Sequence, residues 1–195
     1  MQRMMENALP QMYPGTQYAY CMPMGTMDVV LNFKYQTLRD YYEKWYRPDF
    51  QGIVIVGDID VDAIENKIKT IFVDIPAQPN AAERIYYPVN DNKEPIIVIE
   101  KDKEQPNIQE LICNKHDAVP DDQKNSMSYL VGNYAKDMIS NMLNARLYEL
   151  RQTANPPFIA AGAYDSEFFV AKTKDAFTGY AVCKEDGIEE GFKAL

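Results

Sequence analysis

The residues that could carry out chemistry in this chain are few. His116 is the only histidine among the 195 residues, and Asp117 follows it directly. A zinc-protease helix needs two histidines on one face together with a carboxylate, so this chain cannot supply such a helix alone. A Ser–His–Asp triad would also need an exposed serine, and no Gly-x-Ser-x-Gly turn occurs. We therefore expect His116 to be an ordinary loop histidine.

Two short patterns resemble ligand-binding loops without meeting their requirements. Gly52 and Gly57 have the spacing of a phosphate-binding loop, but Asp58 stands where that loop needs lysine. Asp58, Asp60 and Asp62 resemble the start of a calcium loop, yet no glycine follows at its sixth position. Asp60 or Asp62 is better placed to cap the helix that follows, since acidic side chains suit a helix N-terminus.

The remaining candidates are typical of packing. The aromatic pairs Tyr86–Tyr87 and Phe168–Phe169 are expected to pack against other side chains rather than to stack on a ligand. The chain has three widely spaced cysteines and no Cys-x-x-Cys motif, so we expect buried free thiols and no disulfide framework at Cys21, Cys113 and Cys183. The residues themselves reveal no catalytic site and no metal site, and the substrate-binding residues stay unknown.

A helix–strand–helix unit is the clearest local pattern. Thr37 is expected to cap a helix that buries apolar residues at helical spacing as far as Trp45. The β-branched run 52–57 predicts a central strand that is covered on both faces. Apolar residues at helical spacing then predict a second helix that ends at Phe72.

Proline and asparagine are frequent between residues 76 and 94, which indicates a linker. Beyond it we predict strands at 95–100 and 108–113, and a helical region from 123 to 153 that begins after Pro120 and is kinked or divided in two. A hairpin over 158–169 and 173–183 and a short helix near the C-terminus complete the chain. The whole pattern predicts an α+β fold.

Composition restricts the functional class. The chain has 20 basic and 29 acidic residues, a net charge of −9, which argues against nucleic acid or an anionic membrane as the main partner. Hydrophobic residues make up 46% of the chain, enough for a real core. No apolar stretch approaches the ~18 residues of a membrane span, and no secretory leader is recognisable. Because the last helix stops after about two turns, we expect a piece excised from a longer protein.

Several segments together resemble the pitrilysin/insulinase family of zinc metallopeptidases. Residues 41–49 resemble the family pattern F-Y-x-K-x-Y-x-P-x-N, and residues 53–60 resemble the strand that ends V-V-G-D-x-D. Residues 23–26 resemble a P-I-G-T loop, and residues 142–151 resemble M-x-S-R-L-x-x-x-L-R. These matches occur in the family's order and cover most of the chain.

The resemblance implies a mainly antiparallel sheet with helices packed on it, of the processing-peptidase-like type. It divides the chain into the closing part of one peptidase-like domain (1–78), a linker (79–94) and the opening part of the next, non-catalytic domain (95–195). In this family an inverted His-x-x-Glu-His helix binds zinc and activates water. That helix would precede residue 23, so the resemblance implies zinc in the parent protein and none in this chain.

The implied function is a non-catalytic segment of a zinc metalloendopeptidase, which contributes chamber wall and domain packing. This chain alone is expected to be inactive, and its partners would be the rest of the parent and a peptide. Relatives are often exported, which favours the periplasm for the parent. One alternative is an inactive scaffold or presequence-binding subunit of the same fold; another is an unrelated α+β binding module.

Two arrangements of the isolated chain remain open. Since successive domains of the family are homologous, a closing half and an opening half could form one circularly permuted sheet, with strand 53–56 beside the strands of 95–183. Otherwise each half exposes apolar faces, and a homodimer would cover them.

Overall fold

The structure is a computed structural model that describes residues 2–22 and 25–195. It divides into two compact units, one formed by residues 1–23 with 86–195 and the other by residues 24–85. The first contains α1 (Gln2–Met12), β1 (Ile108–Asp117), α5 (Met127–Arg151), β2 (Ala160–Glu167), β3 (Lys174–Cys183) and α6 (Ile188–Ala194). The second contains α2 (Met27–Asn32), α3 (Tyr35–Trp45) and α4 (Val61–Phe72). Pro23 and Met24, which open the loop expected to resemble P-I-G-T, lie outside the described residues.

The first unit is built on a three-stranded antiparallel sheet. Its strand order is β1-β3-β2, with Gly179 of β3 opposite Ile112 on one side and Ala163 on the other. β2 and β3 form the predicted hairpin, and β1 extends the strand predicted at 108–113 by four residues. The α+β fold is therefore confirmed.

The two faces of the sheet are covered by different parts of the chain. Ala176 packs in a cluster with Leu9 and Tyr13 of the N-terminal segment. Ala181 packs in a second cluster with Leu147 of α5 and Phe158. Because side chains alternate along a strand, Ala176 and Ala181 point to opposite faces. The sheet is thus the middle layer of this unit.

Tyr13 fastens the N-terminal segment to the sheet. Its ring is fully buried, and its hydroxyl donates to the carbonyl oxygen of Phe168. The same hydroxyl accepts the backbone N–H of Val170 at 3.4 Å. Burial raises the pKa of Tyr13 to about 12, because the phenolate would lose its hydration. The hydroxyl therefore stays protonated as a donor over the ordinary pH range.

Part of the predicted linker is held on the same sheet. Lys174 of β3 is 8% exposed at its side chain, and its ammonium lies 2.7 Å from Asp91 Oδ1 and 2.6 Å from Asp117 Oδ1. These two carboxylates raise the pKa of Lys174. Val89 is buried nearby in the chain. Residues 86–91 thus belong to the first unit, while the division at 1–78, 79–94 and 95–195 stays a prediction.

α3 and α4 form where the sequence predicts helices, whereas α2 is not predicted. α3 has no buried residue, so the expectation that it buries an apolar face is wrong. α3 begins two residues before Thr37, so the prediction that Thr37 caps this helix is wrong. Lys34 occupies the cap position without a side-chain bond, which leaves Thr37 inside the first turn. Asp60 does cap α4, since its carboxylate accepts the backbone N–H of Ala63 at 3.0 Å. The sequence alone allows either Asp60 or Asp62 as this cap.

Two predicted strands are absent from the sheet of the described residues. Segments 52–57 and 95–100 form no ladder, and Val54 and Val56 are 86% and 91% exposed. An apolar run becomes a central strand only when neighbouring strands bond its N–H and C=O groups, and neither segment has such neighbours here. The permuted sheet, in which 53–56 would pair with strands of 95–183, belongs to the domain division and stays a prediction.

α5 also differs from its prediction. It is one continuous helix of 25 residues that begins at Met127, where the side chain of Ser126 accepts the N–H of Tyr129. The expected start after Pro120 is only a short 3₁₀ turn, Asp121–Gln123. The polar residues near its middle do not divide α5, because Asn144 faces the sheet and bonds to it. No helix among residues 2–22 and 25–195 has the length and hydropathy needed to cross a bilayer.

Candidate functional site

His116 lies on β1 and takes part in an ion cluster, so the expectation of a loop histidine is wrong. Its Nε2 lies 2.9 Å from Asp165 Oδ2 on β2, and its Nδ1 lies 3.1 Å from the carbonyl oxygen of Asp117. Lys136 of α5 donates from 2.7 Å to Asp165 Oδ1. β1 places His116 on the face of the sheet that α5 covers. The sequence does not show this, because Pro120 argues against a helix around His116 but does not indicate a strand.

The cluster ties three elements together through one carboxylate. Although partial burial opposes ionisation, the hydrogen bonds from Lys136 and His116 hold the pKa of Asp165 below its usual range. Both carboxylate oxygens already have a cationic or N–H donor, and both ring nitrogens of His116 face oxygen acceptors. With its polar atoms paired in this way, the cluster is better suited to holding β1, β2 and α5 together than to catalysis.

A groove of about 430 Å³ runs between α5 and β2. Tyr180 of β3 covers Gly162, and a methyl group at that glycine would lie only 2.7 Å from the ring. A side chain at position 162 would therefore have to displace the Tyr180 ring. The walls of the groove come from the C-terminal half of α5 and from β2 and β3: Asn144, Leu147, Tyr148, Arg151, Ala161, Gly162, Ala163, Tyr164 and Tyr180.

Asn144 covers the outer edge of β2. Its Nδ2 donates to the carbonyl oxygen of Ala163 at 3.0 Å, and its Oδ1 accepts the N–H of Ala163 at 2.7 Å. The side chain thus satisfies both backbone groups that a further strand would need at this position. The sequence gives no sign of this role, because Asn144 is separated from Ala163 by a loop.

Two of the three cysteines are poor nucleophiles in this structure. Burial, with Glu110 Oε2 3.3 Å away, raises the pKa of Cys183 to about 11. Burial also raises the pKa of Cys113. A reactive thiol needs the opposite, a lowered pKa. Cys183 is buried, Cys113 is half-buried and Cys21 is exposed. The expectation of buried thiols is therefore confirmed for Cys183 and wrong for Cys21.

The aromatic pairs and the glycine-bounded segment that the sequence singles out form no ligand-binding site among the described residues. Phe168 packs against Tyr13 with ring centroids 5.2 Å apart, and Tyr87 meets Tyr18 edge-on at 6.4 Å. Gly52 and Gly57 flank an extended segment rather than a phosphate-binding loop. Within residues 2–22 and 25–195, no three His, Cys, Asp or Glu side chains come close enough together to hold a metal ion.

Comparison with known families decides the assignment. The family described as Peptidase M16 inactive domain matches residues 32–190. The chain belongs to this family. The resemblance to insulinase-type zinc metallopeptidases is thereby confirmed, and the M16 inactive domain is of the non-catalytic type that the sequence predicts.

Named relatives agree with this assignment. The M16 chain is 26% identical to "Zinc protease PQQL-like" of Arabidopsis thaliana over 81% of its own length and 16% of that protein. It is also 26% identical to "Probable zinc protease PqqL" of Escherichia coli K12 over 78% of its length and 17% of that protein. The chain therefore spans about a sixth of the relatives that it matches.

Two solved structures share the fold. The periplasmic protease PqqL from Escherichia coli matches 99% of the M16 chain and 21% of its own chain, with a TM-score of 0.79 and 22% identity. The first half of the same protease gives a TM-score of 0.73 at 21% identity, over 99% of the M16 chain and 40% of that structure. These matches support the fold.

The M16 family implies zinc, and the residues of this chain do not fit a zinc centre. A protein zinc site uses three or four ligands, commonly histidine or cysteine. This chain has one histidine, whose ring nitrogens face Asp165 and a carbonyl oxygen. Two of its three cysteines have raised pKa values. No ligand set can be assigned here.

Proposed function

We propose that this chain is a non-catalytic segment of a zinc-dependent metalloendopeptidase and forms part of its chamber wall and domain packing. The family match over residues 32–190 carries this proposal. The ion cluster supports it, because the only histidine is engaged in joining β1, β2 and α5. The apolar segment 53–56, which is largely exposed, suits a surface that other protein covers.

The partners proposed are the remainder of the parent peptidase and a peptide substrate, with a homodimer as the other way to cover the apolar faces. The domain boundaries 1–78, 79–94 and 95–195 are part of the same proposal. Two observations on relatives support a periplasmic parent and a zinc-dependent activity: the solved protease is called periplasmic, and the related proteins are called zinc proteases.

The test compares the 195-residue chain with the full-length parent protein. We expect the chain to bind no stoichiometric zinc by elemental analysis and to cleave no peptide from a mixed library. The parent should cleave peptides and lose that activity on chelation. His116→Ala in the parent should leave the rate of peptide cleavage unchanged at a temperature at which the variant remains folded.

Two results would contradict the proposal. One is a tightly held zinc ion in the isolated chain that His116→Ala removes; the other is peptide turnover by the isolated chain. A parent that folds but neither binds zinc nor cleaves peptides would instead favour the scaffold or peptide-binding subunit.

A further inference from the structure

The groove between α5 and β2 has a single charged side chain in its walls, that of Arg151. Within residues 2–22 and 25–195, Arg151 forms no ion pair, although the chain as a whole carries a net charge of −9. A guanidinium group presents its N–H donors in a planar fork that matches a carboxylate. The groove therefore offers a place for one carboxylate.

Three tyrosine rings form the apolar walls beside this charge. The rings of Tyr164 and Tyr180 have their centroids 6.2 Å apart and are tilted by 50°. Tyr148 lies on α5 three residues before Arg151, and side chains at this spacing are neighbours on a helix, with Cβ atoms about 5–6 Å apart. The three tyrosines are between 36% and 59% exposed. The ring surfaces and the guanidinium thus lie within the reach of a single amino-acid residue.

Asn144 limits the length of chain that the groove accepts. Asn144 and Arg151 are about 10 Å apart along the axis of α5. The Asn144 amide is bonded to both the N–H and the C=O of Ala163. A bound chain consequently cannot continue as a strand beside β2 at that position. The groove suits the end of a chain better than a long extended stretch.

We propose that this groove binds the C-terminal residue of a peptide, with the α-carboxylate on Arg151 and an apolar or aromatic side chain against the three tyrosine rings. A terminal residue carries both groups on one Cα, as the short distance between Tyr148 and Arg151 requires. The charge is complementary, because the walls contain one cation and no carboxylate. The ligand rests on the proposed function: cleavage of a peptide leaves a new α-carboxylate on one of the two products.

Fluorescence anisotropy with three labelled peptides tests the proposal on the 195-residue chain. Each peptide carries fluorescein at its N-terminus. The first ends in Leu-Phe with a free α-carboxylate, the second is the same peptide with a C-terminal amide, and the third is an amide that ends in Leu-Glu. We expect the free acid to bind saturably and at least about 10-fold more tightly than either amide, because only its α-carboxylate pairs with Arg151.

Substitutions in α5 and β2 separate the charge from the walls. Arg151→Gln should weaken binding of the free acid about 10-fold or more and leave binding of the Leu-Phe amide unchanged. Arg146→Gln is the matched control, because it makes the same change on α5 about 140° around the helix, and it should leave both affinities unchanged. Tyr164→Ala should weaken both peptides by a similar factor, since it removes a wall and no charge. Circular dichroism should show all three variants folded.

Three results would overturn the proposal. The first is equal affinity for the free acid and the Leu-Phe amide, and the second is unchanged binding of the free acid by Arg151→Gln. The third is binding to the isolated chain but not to the chelated parent protein, which would show that the rest of the parent covers the groove. None of these results bears on the proposed function, which fails instead if the isolated chain holds zinc or cleaves peptides.

Discussion

Replacement of Gly191 by alanine tests how α6 packs on the sheet. Gly191 is buried, and a methyl group there would lie 2.3 Å from Cys183 Sγ and 3.2 Å from Glu110 Oε2. Cys183 is only 2% exposed and packs in the cluster with Leu147 and Phe158, so its side chain has little room to rotate. Gly191→Ala must therefore displace α6 from β3.

The expected cost follows from two opposing contributions. Overpacking a well-filled core costs about 1–3 kcal/mol, while alanine in place of glycine stabilises a helix by about 1 kcal/mol. Because the methyl group would approach a buried sulfur atom to 2.3 Å, the upper half of the overpacking range applies, about 2–3 kcal/mol. We therefore expect Gly191→Ala to lower the free energy of unfolding by about 1–2 kcal/mol. Gly132→Ala is the matched control: it makes the same change in α5 with no atom within 4 Å, and should raise the stability by up to about 1 kcal/mol.

Urea unfolding followed by circular dichroism at 222 nm is the suitable assay. Fluorescence of Trp45 would not serve, because Trp45 belongs to the other unit. Cys183→Ala in the Gly191→Ala background should recover part of the loss, since it removes the sulfur that the new methyl group meets. If Gly191→Ala instead matches or exceeds the wild-type stability while Gly132→Ala behaves as expected, α6 does not pack against Cys183 as described.

Three further substitutions have defined outcomes. Asp165→Asn should cost about 1–3 kcal/mol at pH 7, measured by urea unfolding, because Lys136 loses its charged acceptor. Because the pKa of Asp165 is lowered in the folded state, its carboxylate stabilises the fold above the unfolded-state pKa of about 3.9, and this stabilisation is lost as the pH falls through the folded-state pKa. The Asp165→Asn variant should therefore lose less stability than the wild type on acidification. Identical acid unfolding of the two proteins would contradict this. Tyr13→Phe should cost about 1–2 kcal/mol by thermal unfolding and should reduce the loss of stability above pH 10, because the raised pKa makes the unfolded chain ionise first. Lys174→Met should speed hydrogen exchange at residues 86–91, and unchanged exchange there would mean that the ion pairs do not hold this segment.

Local patterns predict the elements that depend on local forces. The periodicity of apolar residues predicts α3 and α4, although neither helix has a buried residue in the structure. The hairpin of β2 and β3 pairs two segments that are neighbours along the chain. The same reasoning fails at 52–57 and 95–100. A run such as Ile53–Val56 has strand propensity, but a strand needs partners, and the described residues provide none. Propensity alone cannot supply a hydrogen-bonding neighbour.

The site residues were harder to predict than the elements. His116 and Asp165 are 49 residues apart in sequence, and only the register of β1 and β2 on β3 brings them together. The bond between Asn144 and Ala163 likewise depends on how α5 lies along β2. In contrast, the absence of a zinc-binding helix follows from counting histidines, since one cannot satisfy a motif that needs two. Contacts between residues that are far apart in sequence cannot be predicted from local patterns, whereas the number of histidines can be counted directly.

The side-chain amide of Asn144 makes the two edges of the sheet different. With that side chain bonded to the N–H and C=O of Ala163, β2 offers no ready place for a neighbouring strand, while β1 has no such cover among the described residues. A further strand that approached β2 at Ala163 would first have to displace the Asn144 amide from both backbone groups. This position therefore resists edge-to-edge pairing with another chain.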